Sequence, residues 1–187
     1  MINWPVAQPT LSAGSHQSAI SLRPLREEDI DSITQACQDP TISAFTRVPY
    51  PYDRELAEQF VRGSDLSYRN HQGVVFAIEV EGKFAGTIGL HGINLSDHCA
   101  EVGYWIEKSF RGKGLCTQAL RSILSFALDV MAFRRIEGMA DFNNEASQKV
   151  MEKAGMTRDA LLRNRVTKPS GEQIDMVLFS AIKNQGV

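Results

Sequence analysis

The stretch AEVGYWIE (100–107) alternates as a half-buried strand and runs without a spacer into SFRGKGLCTQAL (109–120). Apolar residues then recur at 115, 119, 120, 123, 124, 127, 128 and 131, which is the face of a helix packed on a core. Between strand and helix, Gly112 and Gly114 flank Lys113 and follow Arg111. Glycine lets backbone approach a ligand closely, and a helix N-terminus carries unpaired N–H groups and a partial positive charge. The run is therefore a strand–loop–helix unit with an anion site at its turn.

The rest of the chain must supply elements that pack around this unit. Residues 1–18 have no periodicity and read as an extended or loosely attached arm; the remainder, 19–187, reads as one domain. Ala19–Pro24 alternates as a short strand, and 27–39 reads as a helix stopped by Pro40. The stretch TRVPYPYD (46–53) is a loop, and Asp53 is placed to cap a helix running to about residue 70. In VVFAIEVEGKFAGTIGLHGI (74–93), two β-rich runs flank Glu81-Gly82, a hairpin signal. A strand is expected at 134–141, a helix at 143–154 ended by Gly155, and two closing strands at 157–166 and 174–182. This order fits neither a doubly wound parallel sheet nor a sandwich. It fits an α/β (α+β) architecture with a mixed, mostly antiparallel sheet of about seven strands flanked by helices.

Composition narrows the partners. With 20 Lys and Arg against 22 Asp and Glu, the net charge of −2 argues against nucleic acid, whose binders carry a basic surface. No apolar run reaches the length of a membrane span, and the first residues lack the pattern of a secretory signal. The cysteines at 37, 99 and 116 are odd in number and have no CxxC spacing, which suits reduced thiols in the cytoplasm. The histidines at 16, 71, 91 and 98 show no metal-ligand spacing, so no metal is expected; His91 and His98 remain candidates near a substrate.

Three anion motifs compete for residues 109–120. A P-loop requires Ser or Thr after its lysine, and Gly114 stands there. A dinucleotide fingerprint requires a third glycine where Thr117 stands, and the acidic residue expected further on is missing. The third is a pyrophosphate loop of the acyl-CoA type. Arg111-Gly112-Lys113-Gly114-Leu115-Cys116 resembles the (Q/R)xxGx(G/A) motif of the GNAT N-acetyltransferases. EVGYWIEKSF resembles the strand before that motif in their RimJ/RimL-like branch, whose members acetylate ribosomal-protein N-termini. NNEASQKVMEKAGM resembles that branch's later element, with Asn144, Ser147 and Gly155 at the motif positions. The resemblance covers roughly residues 19 to 182; Cys116 departs from the preferred Gly or Ala.

The resemblance implies the GNAT fold and acetyl-CoA as co-substrate. It assigns the pyrophosphate to residues 111–117: backbone at Gly112, Gly114, Leu115, Cys116 and Thr117, with positive charge from Arg111 and Lys113. It implies that the strand of Tyr104, Trp105 and Ile106 bulges and splays, so that its peptide groups bond the pantetheine arm while the side chains are core. Asn144 contacts the same arm or caps its helix. Ser147 stands near the thioester, where its hydroxyl would assist the leaving thiolate. Met151 stands where some relatives have a tyrosine acid. Glu101 is the leading candidate base and Asp175 a further one, each with a structural alternative.

The expected reaction is direct attack of a primary amine on acetyl-CoA in a ternary complex. An α-amine titrates near 7.7–8.0 and a lysine amine near 10.4, so the lack of a compelling base favours a protein N-terminal α-amine. Two alternatives stay open: a small-molecule amine acceptor (amino acid, polyamine or drug), and a cofactor-binding module without catalysis. A homodimer is compatible with the sequence, and the oligomeric state stays open.

Overall fold

Hydrogen bonding of eight strands into one sheet, and packing of five helices against it, account for most of the described backbone. The computed structural model describes residues 1–13, 20–168 and 170–183. The strands are β1 (Leu11–Ala13), β2 (Ile20–Pro24), β3 (Val74–Val80), β4 (Lys83–Asn94), β5 (Cys99–Ile106), β6 (Arg135–Asp141), β7 (Thr157–Thr167) and β8 (Gln173–Ile182). Their spatial order is β1-β2-β3-β4-β5-β6-β8-β7. Every pairing is antiparallel except β5 with β6. The mostly antiparallel mixed sheet is as expected, with eight strands rather than about seven.

Local chemistry places the helices. α1 is Ile30–Ala36, α2 is Pro40–Phe45, α3 is Arg54–Arg69, α4 is Leu115–Ser125 and α5 is Glu145–Ala154. Asp53 caps α3 by accepting from the Leu56 N–H, and Asn144 caps α5 by accepting from the Ser147 N–H. Gly155, with φ of 95°, closes α5 in the left-handed conformation that glycine adopts without strain. The single helix expected over 27–39 is instead a 3-10 turn at Glu27–Asp29 followed by α1. Pro40 does more than stop it. As the first residue of α2, behind the Asp39 cap, its missing N–H is one that a helix start leaves unpaired anyway.

The two faces of the sheet carry separate cores. On one, Leu120 and Ile123 of α4 and Met151 of α5 pack with Phe76, Ile88, Val102, Ile136 and Phe179. On the other, Ile33 of α1, Ile42 of α2 and Ala57 and Val61 of α3 pack around Trp105. Period-2 alternation along β5 therefore sends Val102, Tyr104 and Ile106 to the α4–α5 face, and Glu101, Gly103 and Trp105 to the α1–α3 face.

Of the two forms expected for the N-terminal arm, extended or loosely attached, residues 1–13 are packed down rather than loose. Residues 11–13 pair with β2, Trp4 stacks on His71 with ring centroids 4.7 Å apart, and Asn3 donates to the Met131 carbonyl at 2.8 Å. Tyr68 donates to the Pro5 carbonyl at 2.7 Å. Apolar anchors at Trp4 and Leu11 bring the segment down, although the surrounding Pro, Ser and Gln gave no periodicity to announce it. Residues 14–18 of the expected arm, and Ala19, the first residue of the expected strand, lie outside the described residues.

One buried ionic cluster ties the start of the sheet to α1. The Arg23 guanidinium bonds both Asp29 oxygens at 2.8 Å and Glu79 at 2.6 Å. The hydrogen bonds it donates to Asp29 are the main reason the guanidinium is held even further above its ordinary range. Removing one partner of such a cluster strands a buried charge. Asp29→Ala is expected to destabilise the fold by about 3–5 kcal/mol in equilibrium urea unfolding; a loss below about 1 kcal/mol, the range of an exposed pair, would remove the cluster from the account of stability.

Candidate functional site

β5 and β6 run side by side for only four residue pairs, from Cys99↔Arg135 to Val102↔Gly138. Beyond them β5 stays with β4, in register from His91↔Glu101 to Gly86↔Ile106, while β6 stays with β8. The sheet opens between them. The Glu107 N–H donates to the Ala85 carbonyl at 2.9 Å, so alternation aims the peptide groups of residues 101, 103 and 105 at β4. Those of Tyr104 and Ile106 face the opening. The Ile106 carbonyl accepts from Arg111 Nε at 2.9 Å, which leaves the Tyr104 N–H and C=O and the Ile106 N–H without a strand partner.

Two expectations for this strand are corrected. β5 splays but does not bulge at 104–106, because its pairing with β4 is continuous there. The register shifts of β4 lie elsewhere, against β3 at Ile78/Glu79 and against β5 at His91/Asn94. Close approach by Gly86 allows this: a Cβ there would lie 2.2 Å from the Trp105 carbonyl oxygen. Trp105 also does not offer its peptide groups to the opening. They pair with Thr87, and its ring is core, 5.8 Å from that of Phe84.

The mouth of the opening is the turn singled out by the sequence. Gly112 and Gly114 have φ of 75° and 73°, which glycine adopts without cost. The first intrahelical bond of α4 runs from the Gln118 N–H to the Gly114 carbonyl, so the N–H groups of Leu115, Cys116 and Thr117 precede the ladder. Lys113 lies over the Phe110 ring, its Nζ 5.4 Å from the centroid. The Arg111 side chain does not extend toward this turn. It reaches α2, donating to Thr41 Oγ1 at 2.8 Å and forming an ion pair with Asp39 at 2.9 Å. Cys116 packs, partly buried, against the large core, and burial pushes its thiol up to about 12.

On the opposite lip, α5 starts where β6 ends. Its Ser147 hydroxyl lies 2.9 Å from the Tyr104 hydroxyl across the opening. Burial holds the Tyr104 phenol well above its ordinary range, with Cys116 adding to the shift and the Ser147 bond opposing it. Sequence reasoning treated the Tyr104 side chain as core and missed this pair, since alternation marks a residue as inward without naming what its far end meets. The Asn144 side-chain oxygen is engaged in capping, at 3.1 Å from the Ser147 N–H. Met151 is buried against Gly138.

Glu101 lies on the other face, opposite His91 on β4 and beside Glu137 on β6. Its carboxylate extends along Gly92, where a Cβ would stand 3.5 Å from Oε1. Packing lowers the His91 imidazole below its ordinary value; Glu101 opposes the shift and Arg47 adds to it. Asp175 is occupied structurally, accepting from the Asn164 N–H at 2.8 Å. Glu101 and the Tyr104–Ser147 pair thus stand on opposite faces of the sheet, joined by the opening.

A family model described as an acetyltransferase (GNAT) domain matches residues 20–157. Among curated proteins, 118 residues are 30% identical to "Putative ribosomal N-acetyltransferase YdaF" of Bacillus subtilis (strain 168), over 63% of this chain and 64% of that relative. Another 143-residue match, 27% identical, is to a spermidine N(1)-acetyltransferase of Escherichia coli (strain K12), over 74% of this chain and 73% of that protein. Among solved structures, RimL, a ribosomal L7/L12 alpha-N-protein acetyltransferase in complex with coenzyme A, superposes with a TM-score of 0.83. It is 20% identical over 92% of this chain and 97% of that one, a likeness of fold.

The position of Cys116 has a chemical consequence. Only the thiolate is nucleophilic, so a thiol that burial holds above its ordinary range is a poor nucleophile near neutrality. Iodoacetamide at pH 8 is expected to leave Cys116 unmodified in the native protein and to alkylate it after denaturation, as read by peptide mass spectrometry. Rapid native labelling would place the thiol in the opening rather than in the core.

Proposed function

The chain belongs to the GNAT acetyltransferase family, and on that premise we propose that it transfers the acetyl group of acetyl-CoA to a primary amine by direct attack. The observation that carries this reading is the opening between β5 and β6, with unpaired peptide groups along one side and a helix N-terminus at its mouth. Unpaired peptide groups inside a sheet cost free energy unless a ligand or water bonds them. They suit the amides of a pantetheine arm, and the glycine turn suits its pyrophosphate. RimL, with coenzyme A bound, shares this fold.

In this reading acetyl-CoA supplies the activated acyl group as a thioester. The backbone of Gly112 and Gly114 and the N–H groups of Leu115, Cys116 and Thr117 hold the pyrophosphate, with Lys113 adding positive potential. The N–H groups of Tyr104 and Ile106 are available to the thioester carbonyl oxygen as negative charge develops on it. Asn144 shapes the opposite lip by capping α5. The Tyr104 and Ser147 hydroxyls share one hydrogen bond; with Tyr104 as its donor, the Ser147 proton is free to stabilise the departing thiolate. Tyr104 thereby takes up the place left by Met151, from a different element.

The acceptor approaches from the face bearing Glu101 and loses a proton to it, directly or through water. An α-amine, near 7.7–8.0, needs less help than a lysine amine near 10.4, so a protein N-terminus is the preferred acceptor. A small polyamine is the second reading. It is favoured by the spermidine acetyltransferase relative and by Glu101 and Glu137 side by side on β5 and β6, which suit a second positive charge.

A coenzyme A release assay with N-terminal peptides and with spermidine separates these acceptors. Ser147→Ala and Tyr104→Phe are each expected to lower kcat about tenfold, with the effects not adding in the double variant. Glu101→Gln is expected to lower kcat at pH 7 by about a hundredfold, within the range of general base removal, and to lose less at pH 9. Losses of only a few-fold in all three would sink these assignments. Cofactor binding without turnover of any amine would instead make the protein a binding module.

A further inference from the structure

The motif position of Arg111 suggests a phosphate ligand, yet its side chain is committed elsewhere. Nε donates to the Ile106 carbonyl at 2.9 Å, Nη1 donates to Thr41 Oγ1 at 2.8 Å, and Nη2 lies 2.9 Å from Asp39 Oδ2. All three guanidinium nitrogens are thus engaged, and none with the α4 N-terminus. Asp39 is itself the cap of α2: its Oδ1 accepts from the Thr41 N–H at 3.0 Å and the Thr41 hydroxyl at 2.8 Å. These bonds from Thr41, with Arg111 adding to them, hold the Asp39 carboxyl below its ordinary value.

The guanidinium therefore joins three pieces that the proposed reaction uses separately. The Arg111 backbone opens the glycine turn, its Nε donates to the carbonyl of Ile106 at the end of β5, and its far end grips the start of α2. Directly after α2 comes the 46–53 loop, with Arg47 near His91 and Tyr50 exposed, on the face that carries Glu101. A planar, delocalised cation can make these bonds at once, whereas a lysine has one nitrogen to offer.

We infer that Arg111 is a positioning residue that couples the glycine turn to α2, so that seating coenzyme A on residues 111–117 orders the acceptor side of the site. This rests on the acetyltransferase reading of the opening. The coupling works because both ends of the guanidinium are anchored: a turn held by pyrophosphate holds Arg111, and Arg111 holds Asp39 and Thr41. It also makes Asp39, far from the turn in sequence, part of the same device.

Hydrogen–deuterium exchange with and without coenzyme A tests this on the full chain. In the native protein, coenzyme A is expected to slow exchange in both 111–117 and 39–46. Arg111→Lys and Asp39→Asn should each keep protection of 111–117 and lose that of 39–46. Their coenzyme A affinity, by titration calorimetry, should stay within about threefold, since no charged hydrogen bond to phosphate is removed. KM for the acceptor that turns over should rise about tenfold, a coupling of ordinary size, and by no more in the double variant. Protection of 111–117 alone in the native protein would overturn the coupling and leave the acetyltransferase reading standing. A tenfold loss of coenzyme A affinity in Arg111→Lys but not in Asp39→Asn would make Arg111 a phosphate ligand instead. Absence of any protection by coenzyme A would overturn both readings.

Discussion

A single parallel pairing, held for four residue pairs and then given up, organises this molecule. Parallel neighbours cannot be joined by a hairpin, so the chain must cross over between β5 and β6, and α4 is that crossover. The crossover leaves from the end of β5, which puts the N-terminus of α4 at the mouth of the gap. β6 then parts from β5 to stay with β8, and α5 begins where it ends. Glycine turn, unpaired peptide groups and Ser147 are thus gathered by one feature of the topology.

The gap is also a passage between two chemically different faces. Tyr104 and Ile106 look toward α4 and α5, where Tyr104 meets Ser147 in partly buried surroundings. Glu101 and Trp105 look toward α1–α3, where Trp105 completes the smaller core and Glu101 lies among His91, Arg47 and Glu137. On the proposed reaction, alternation along one strand would keep the proton acceptor for an incoming amine apart from the hydroxyl pair that meets the leaving thiolate. Two groups of opposite duty need not compete for one position.

Local features were well legible from the residues. The Glu81-Gly82 hairpin, the Asp53 and Asn144 caps, the Gly155 stop and the glycines at 112 and 114 are all present, because each depends on neighbours within a few residues. Errors came where the partner was remote. Residues 1–13 read as an arm because composition did not reveal that Trp4 would meet Tyr68 and His71. Pro40 read as a stop, and its second role as the first residue of α2 depends on Asp39 accepting from Thr41. The bulge expected in β5 was replaced by a close approach of Gly86, a contact between two strands.

By itself the sequence determined the order of the elements apart from β1 and α2, the glycine turn ahead of a helix and the alternation of β5, since backbone preference and hydrophobic period act over short range. Only the tertiary structure decided what the side chains of that turn and strand touch. Arg111 finds Thr41 across 70 residues, and Tyr104 finds Ser147 across 43. Such partners are brought together by the packing of whole elements on the sheet, and no pattern along the chain encodes that distance.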